Sequence, residues 1–166
     1  MTMRGTSGSG RGAAIGFGRR GVATVEMAIL LPLMLLLIFG TLEVGLMAKQ
    51  SHSLNHVARE MARVASIGAP NSQISAHMAA VAPGLDCDRI GSSIQYRAWE
   101  EGAGTWGAWT TLTDDGVENS ASSGDQIRVK LTYSYQLATG GMLADTLNAS
   151  ADNVVTVNAT IVSMRE

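Results

Sequence analysis

A long apolar run occupies the first third of the chain. Between residues 22 and 48 only Glu26 and Glu43 are charged, and residues 27–42 carry no charge at all. As a helix, residues 22–48 would be about 40 Å long, which is enough to cross a hydrocarbon core of about 30 Å. A cleaved secretory signal is the alternative, but residues 27–42 exceed a usual signal core and no clear cleavage site follows. The pattern therefore predicts a transmembrane helix over residues 22–48, with Glu43 near its outer interface and a kink or local softening at Pro32.

The helical pattern continues beyond this run. After Lys49, apolar residues recur at spacings of three and four, which is the period of an amphipathic helix. Gly68 and Pro70 then provide stop signals. We predict one continuous helix to residue 67, whose part beyond the membrane, residues 49–69, buries one stripe against a folded domain. The residues of that stripe are Leu54, Val57, Ala58, Met61, Val64, Ala65 and Ile67.

The rest of the chain, residues 70–166, predicts a small α+β domain. Ile74, Met78 and Val81 lie at helical spacing before Pro83, which indicates a short helix. Apolar and polar residues alternate, as in strands with one buried face, around residues 94–98, 106–112, 127–135 and 155–161. A further helical turn is expected at residues 142–147. About four antiparallel strands and the long helix would then form one two-layer unit.

Charge is distributed unevenly along the chain. Residues 1–21 contain four arginines (Arg4, Arg11, Arg19, Arg20) and no acid, whereas residues 22–166 contain eight basic and fourteen acidic residues. By the positive-inside rule, the N-terminus is cytoplasmic and the domain lies on the other side of the membrane. The Gly-, Ser- and Arg-rich residues 1–18 are expected to be disordered. An acidic domain also argues against nucleic acid as a partner.

No catalytic or metal-binding motif emerges from the sequence. His52 and His56 lie one helical turn apart with Glu60 one turn further, but Ser53 stands where a zinc-protease helix requires glutamate. We therefore expect a solvated polar face there. The pairs Asp86/Asp88 and Asp114/Asp115 lie in polar turns, where aspartate caps the backbone. The prediction is a protein that is not an enzyme and that has no cofactor and no metal.

Two further features leave alternatives open. Trp99, Trp106 and Trp109 lie around one predicted hairpin, and we expect them to pack within it or in the core. An outward patch for a partner is the alternative. Cys87 is the only cysteine, so the chain has no internal disulfide. We expect a small buried or loop thiol, with an intermolecular disulfide as the alternative.

The start of the apolar run resembles a known family. The sequence RRGVATVEMA at residues 19–28, followed by the leucine-rich run with Pro32, is similar to the N-terminus of TadE-like pseudopilins. These are small membrane proteins of the tight-adherence (Flp, type IVb) pilus machinery. The resemblance extends to EVG at residues 43–45, to HVAREMAR at residues 56–63 and to GDQIRV at residues 124–129, which leads into Leu131, Thr132 and Tyr133. The related TadF and TadG proteins share the same start.

The resemblance implies cleavage by a prepilin peptidase between Gly21 and Val22, which leaves Glu26 at the fifth position of the mature chain. The residue types suit that step, since glycine lets the backbone extend into a protease cleft and Arg19 and Arg20 hold the site at the anionic cytoplasmic face. A carboxylate in an apolar helix is costly until it finds a partner, so Glu26 would draw subunits together. The alternative is a Glu26 at headgroup level, satisfied by water and Arg20.

These features predict a single-pass inner-membrane protein with four segments. Residues 1–21 form a cleaved cytoplasmic leader, 22–48 the transmembrane helix, 49–69 its periplasmic continuation and 70–166 a periplasmic domain. The expected role is that of a minor pseudopilin that primes, caps or regulates pilus assembly, because a major Flp pilin would be far smaller. Its expected partners are the prepilin peptidase, other pseudopilins, inner-membrane assembly proteins and membrane lipid, with entry into the fibre left open. The alternative is a membrane-tethered envelope binding protein with no pilus role.

Overall fold

The computed structural model describes residues 18–82, 84–138 and 153–166, and of residues 18–20 the backbone only. The expected disorder of the leader before Gly18 and the helical turn at residues 142–147 lie outside the described residues. The chain divides into two compact units, Met1–Ile38 and Phe39–Glu166. The elements are the helices α1 (Gly18–Ser66) and α2 (Asn71–Val81), a 3-10 turn (Cys87–Arg89), and the strands β1 (Ile90–Arg97), β2 (Trp99–Glu100), β3 (Thr105–Trp106), β4 (Thr110–Thr111), β5 (Gln126–Gln136) and β6 (Val154–Met164).

Helix α1 provides all the regular structure described in the first unit. It begins at Gly18, four residues before the predicted start, so the junction at residues 19–26 is helical. Pro32 lies inside the helix, and the helix continues through it. Every described side chain from residue 21 to residue 39 is exposed.

The second unit contains the predicted antiparallel sheet. Its strand order is β4-β1-β5-β6, and β2 and β3 form a separate two-stranded ribbon. Ile94 pairs with Val129, which pairs with Ile161, so the apolar positions of three strands share one face. The α+β class and the four antiparallel strands are confirmed. The single strand predicted over residues 106–112 is wrong, because that segment splits into β3 and β4: the Gly107 N–H donates to Ala98 O as the chain passes from ribbon to sheet.

The core lies between the inner face of the sheet and the second part of α1. Ile127, Val129 and Leu131 of β5 are fully buried, and α2 contributes the buried Ile74. The predicted stripe of α1 is buried as expected at Leu54, Val57, Ala58, Met61 and Ala65. Ile67 is the exception, with 57% of its surface exposed. Since α1 ends at Ser66, residue 67 no longer follows the helical period.

A cap closes the C-terminal end of α1. Gly68 has φ +91°, the left-handed conformation that suits glycine, and its N–H donates to Ala65 O at 3.0 Å, while the Ala69 N–H donates to Val64 O at 3.4 Å. This is the Schellman pattern of helix termination. The Asn119 amide adds bonds to Ala65 O (2.8 Å) and Ala69 O (3.1 Å). The helix terminus is thus held by a side chain from the loop between β4 and β5.

Candidate functional site

The predicted processing and assembly residues lie on the part of α1 that belongs to the first unit. Gly21, Val22 and Glu26 are all exposed, and the side chains of Arg19 and Arg20 lie outside the described residues. A Cβ added at Gly21 would meet nothing within 4 Å. Glycine within a helix costs about 0.5–1 kcal/mol relative to alanine. No packing requirement in the described structure accounts for glycine at this position.

The surface of this helix is apolar all round. By length and composition, α1 is able to cross a membrane, and a signal sequence would meet the same criterion. A helix that is hydrophobic on every side belongs in lipid or against packed neighbours rather than in water. Its exposed large apolar side chains before the first buried carboxylate are Val22, Val25, Met27, Ile29, Leu30, Leu31, Leu33, Met34, Leu35, Leu36, Leu37, Ile38, Phe39 and Leu42.

Glu43 is a buried residue within this exposed stretch, which continues at Val44 and Leu46. The sequence placed Glu43 near the outer membrane interface, which stays a prediction, but it gave no sign that the charge is buried. Glu43 is only 2% exposed, and its Oε1 accepts hydrogen bonds from the Tyr135 hydroxyl (2.8 Å) and from the Ala138 N–H (3.0 Å). Tyr135 lies near the end of β5, so the carboxylate connects α1 to the sheet. A buried carboxylate is tolerated because its oxygens are hydrogen-bonded.

The surroundings of Tyr135 raise the pKa of its hydroxyl. Burial, and then the hydrogen bond to Glu43 and its negative charge, raise the pKa of Tyr135 from 10.0 to about 12. The neutral phenol is the form that donates to a carboxylate. The hydroxyl therefore remains protonated, and the contact persists, across the physiological pH range. Sequence reasoning missed this pair because the two residues lie 92 positions apart.

The histidines of α1 do not form a metal site with their neighbours. His52 and His56 are exposed, and Glu60 instead accepts a hydrogen bond from Arg63 Nε at 3.0 Å. This bond is the main reason that the pKa of Glu60 lies below its usual value. His77 Nε2 of α2 lies 3.7 Å from Glu60 Oε2. Among the described residues, no group of three or more His, Cys, Asp or Glu is arranged to hold a metal ion.

Asp86, Asp114 and Asp115 cap backbone turns, as expected. Asp86 Oδ1 accepts from the Asp88 N–H, and Asp114 Oδ1 accepts from the Gly116 N–H. Asp115 Oδ1 accepts from the N–H groups of Glu118 (2.8 Å) and Val117 (2.9 Å), which lower the pKa of Asp115.

The three tryptophans lie on the ribbon and the sheet, outside the core. Trp99 and Trp106 stack edge to face with centroids 5.1 Å apart. The guanidinium groups of Arg97 and Arg128 lie 4.5 Å and 4.0 Å from the Trp109 ring centroid. Packing within the hairpin is thus confirmed for Trp99 and Trp106, and Trp99 remains 46% exposed. Cys87 is a partly buried free thiol.

The structure defines a helix whose first part is apolar and exposed, and a small antiparallel α+β unit in which the later part of that helix carries a buried carboxylate. The family model described as "TadE-like protein" matches residues 21–63. The chain is therefore TadE-like over the greater part of α1, which suggests a Tad pilus-associated protein. The match spans 43 of the 166 residues and stops before the sheet begins. No curated protein and no solved structure matches the chain.

Proposed function

We propose that this chain is a minor pseudopilin of a Tad (Flp, type IVb) pilus system, with a structural rather than a catalytic role. The observation that carries the proposal is the TadE-like match over residues 21–63, which falls on a helix whose first part is apolar and exposed on all sides. The protein is anchored in the inner membrane, with its N-terminus in the cytoplasm and its α+β unit in the periplasm. Four arginines and no acid before residue 22 support this orientation.

The burial of Glu43 supports an earlier end to the membrane span than residue 48. Residues 22–42 would be about 31 Å long as a helix, close to a hydrocarbon core of about 30 Å. The next residue is buried within the second unit and bonded to Tyr135, so its surroundings are protein. We place the outer boundary of the span immediately before Glu43.

Processing between Gly21 and Val22 is the second part of the proposal. Gly21 supports this step, because no packing contact in the described structure requires a glycine there. A requirement of the peptidase would account for it. Glu26 is exposed within the apolar helix, five residues into the processed chain. The new α-amino group on Val22 of a neighbouring subunit would then offset that carboxylate. Other pseudopilins, inner-membrane assembly proteins and the peptidase are the proposed partners.

The mass and N-terminal sequence of the protein from membranes test the processing step. A chain that begins at Val22 when an active prepilin peptidase is present, and at Met1 when the enzyme is inactive, is the expected result. Gly21→Val should block the cut, and Gly45→Val, a substitution at the other helix glycine with open space around it, should not. An unprocessed chain, or a cut near Ala48, would contradict the proposal.

Glu26 is tested separately by piliation. Glu26→Ala should leave synthesis and cleavage intact but abolish the assembly function, whereas Glu26→Asp should retain part of it, because it keeps the charge. Val25→Ala, at an exposed neighbour, is the matched control. Normal piliation with Glu26→Ala would exclude the recruitment mechanism.

A second candidate is a membrane-tethered envelope binding protein, favoured by the exposed Trp99, which stacks on Trp106, and by the two arginine side chains that lie over Trp109. This reading requires neither processing at Gly21 nor a carboxylate at Glu26. Uncleaved protein together with normal piliation on deletion would support it over the pseudopilin.

A further inference from the structure

The face of the sheet opposite the core carries unneutralised positive charge. Residues of β5 alternate strictly, so Ile127 and Val129 are buried while Arg128 and Lys130 point the other way. Arg128 pairs with Gln95 of β1 and Val162 of β6 in register. We call the resulting surface the outer face and define it by Arg97, Trp109, Arg128, Lys130, Val162 and Met164.

The cations of the outer face have neutral partners. The Arg97 guanidinium donates to Gln126 Oε1 at 2.9 and 2.7 Å, and Arg128 Nη2 donates to Gln95 Oε1. Arg128 Nε is buried and has no hydrogen-bond partner. None of Arg97, Arg128 and Lys130 forms an ion pair with any residue that the structure describes. Such a surface attracts an anionic partner.

The same chain presents a complementary element. The acidic turn, residues 114–118, combines Asp114, Asp115 and Glu118 with Val117, which is 75% exposed. The aspartates fix its backbone through their bonds to the N–H groups of residues 116–118, and the Asn119 N–H ties it to Gly68 O at 3.0 Å. Because the turn is already ordered, little conformational entropy would be lost on docking.

Both surfaces lie at the end of the second unit where α1 terminates. The Arg165 guanidinium donates to Ser66 O at the helix end (3.1 Å) and lies 3.9 Å from Glu118 of the acidic turn. The neighbouring Met164 belongs to the outer face and pairs with Gln126.

We propose that the acidic turn of one copy docks on the outer face of a second copy. Val117 contacts the apolar Val162 and Met164, while the carboxylates of the turn meet Lys130 and Arg128. The two surfaces are different, so the contact is heterologous and leaves one free turn and one free outer face on every dimer. Repetition gives an open chain of subunits or a ring. This inference goes beyond the proposed function and does not require processing or piliation.

Cysteine cross-linking of the full-length protein in native membranes tests the contact. The background is Cys87→Ser, so that Cys87 does not react. With Val117→Cys and Val162→Cys in one chain, a short bis-maleimide should give a ladder of dimers, trimers and larger species. Either cysteine alone should give little product, and co-expression of the two single variants should give dimers. Asp88→Cys, exposed on the 3-10 turn, replaces Val117→Cys in the matched control.

The charge component is tested by adding Glu118→Lys to the double-cysteine chain. Loss of attraction at an exposed pair, together with the new repulsion, should reduce the ladder roughly fivefold. Asp88→Lys makes the same charge change elsewhere and should leave it intact. A ladder no stronger than the Asp88→Cys control, or products that stop at a dimer with Val162→Cys alone, would overturn the proposal. So would an unchanged ladder with Glu118→Lys.

Discussion

The Tyr135 hydroxyl donates a 2.8 Å hydrogen bond to the carboxylate of Glu43, and both groups are buried. The same carboxylate oxygen accepts the N–H of Ala138. One acid on α1 thus satisfies two donors, one near the end of β5 and one just beyond it.

Removal of this carboxylate should destabilise the second unit strongly. Glu43→Ala leaves the buried Tyr135 hydroxyl without an acceptor and removes the partner of the Ala138 N–H, and we expect a loss of about 3 kcal/mol. Glu43→Gln retains a neutral acceptor and should cost about 1 kcal/mol. Denaturant unfolding of the full chain in detergent micelles measures both, with Glu118→Ala as the exposed control. Equal losses for Glu43→Ala and Glu43→Gln would show that the acceptor contributes little.

Alkaline pH should weaken the same contact. The pKa of Tyr135 is raised from 10.0 to about 12, so the folded state retains a proton that the unfolded state releases. The stabilisation is complete below pH 10 and is lost as pH rises through 12, by up to about 3 kcal/mol. Unfolding measured between pH 9 and pH 12 should show this slope, and Tyr135→Phe should lack it. The same slope in both proteins would assign it to other groups.

Asn119 should be essential to the end of α1. It is 6% exposed, its amide donates to Ala65 O and Ala69 O, and its Oδ1 accepts the Ala121 N–H. Asn119→Ala removes all three bonds, and we expect a loss of about 2–3 kcal/mol. Asn119→Asp keeps the acceptor but places a carboxylate against two carbonyls, so it should be at least as harmful. A milder effect of aspartate than of alanine, measured by thermal unfolding, would contradict this account.

The arginine stack on Trp109 should contribute measurably to stability. The Arg97 and Arg128 guanidinium groups lie 4.5 Å and 4.0 Å from its ring centroid. Trp109→Leu keeps an apolar side chain but removes the ring quadrupole, and we expect a loss of about 1–2 kcal/mol. Arg128→Met in the Trp109→Leu background should then cost less than it does alone. Additive losses in this double-mutant cycle would show that the ring and the cation do not interact.

The sequence predicted the elements with one clear period and missed the contacts between distant residues. The stripe from Leu54 to Ala65 and the alternation of β5 each depend on one face, so local spacing was sufficient to predict them. The prediction that Ile67 belongs to the buried stripe was wrong, because Gly68 ends the helix and residue 67 no longer faces the core. The prediction of a single strand over residues 106–112 was wrong, because Gly107 bonds to Ala98 beside the ribbon and Trp109 packs against two arginine side chains.

The candidate residues divide in the same way. Gly21, Val22 and Glu26 were chosen from a local motif, the family match covers that motif, and their processing and assembly roles stay predictions. Glu43 looked unremarkable because its partner is supplied by a strand far along the chain. A carboxylate in an otherwise apolar helix was the available signal, and only the fold could show which of the two such residues is buried by the domain.

The separation of Glu43 from Tyr135 also sets an order of events in time. Helix α1 is synthesised first, and its carboxylate has no tyrosine hydroxyl to donate to it until 92 further residues have been made and β5 has formed. During that interval the second part of the helix lacks its sheet, and the apolar stripe that ends at Ala65 is open to solvent or to other chains. Formation of β5 supplies the donor for the carboxylate and begins to cover the apolar stripe at the same time. The newly made protein is therefore most open to incorrect contacts late in its synthesis. That period ends when the Tyr135 hydroxyl forms its hydrogen bond with Glu43.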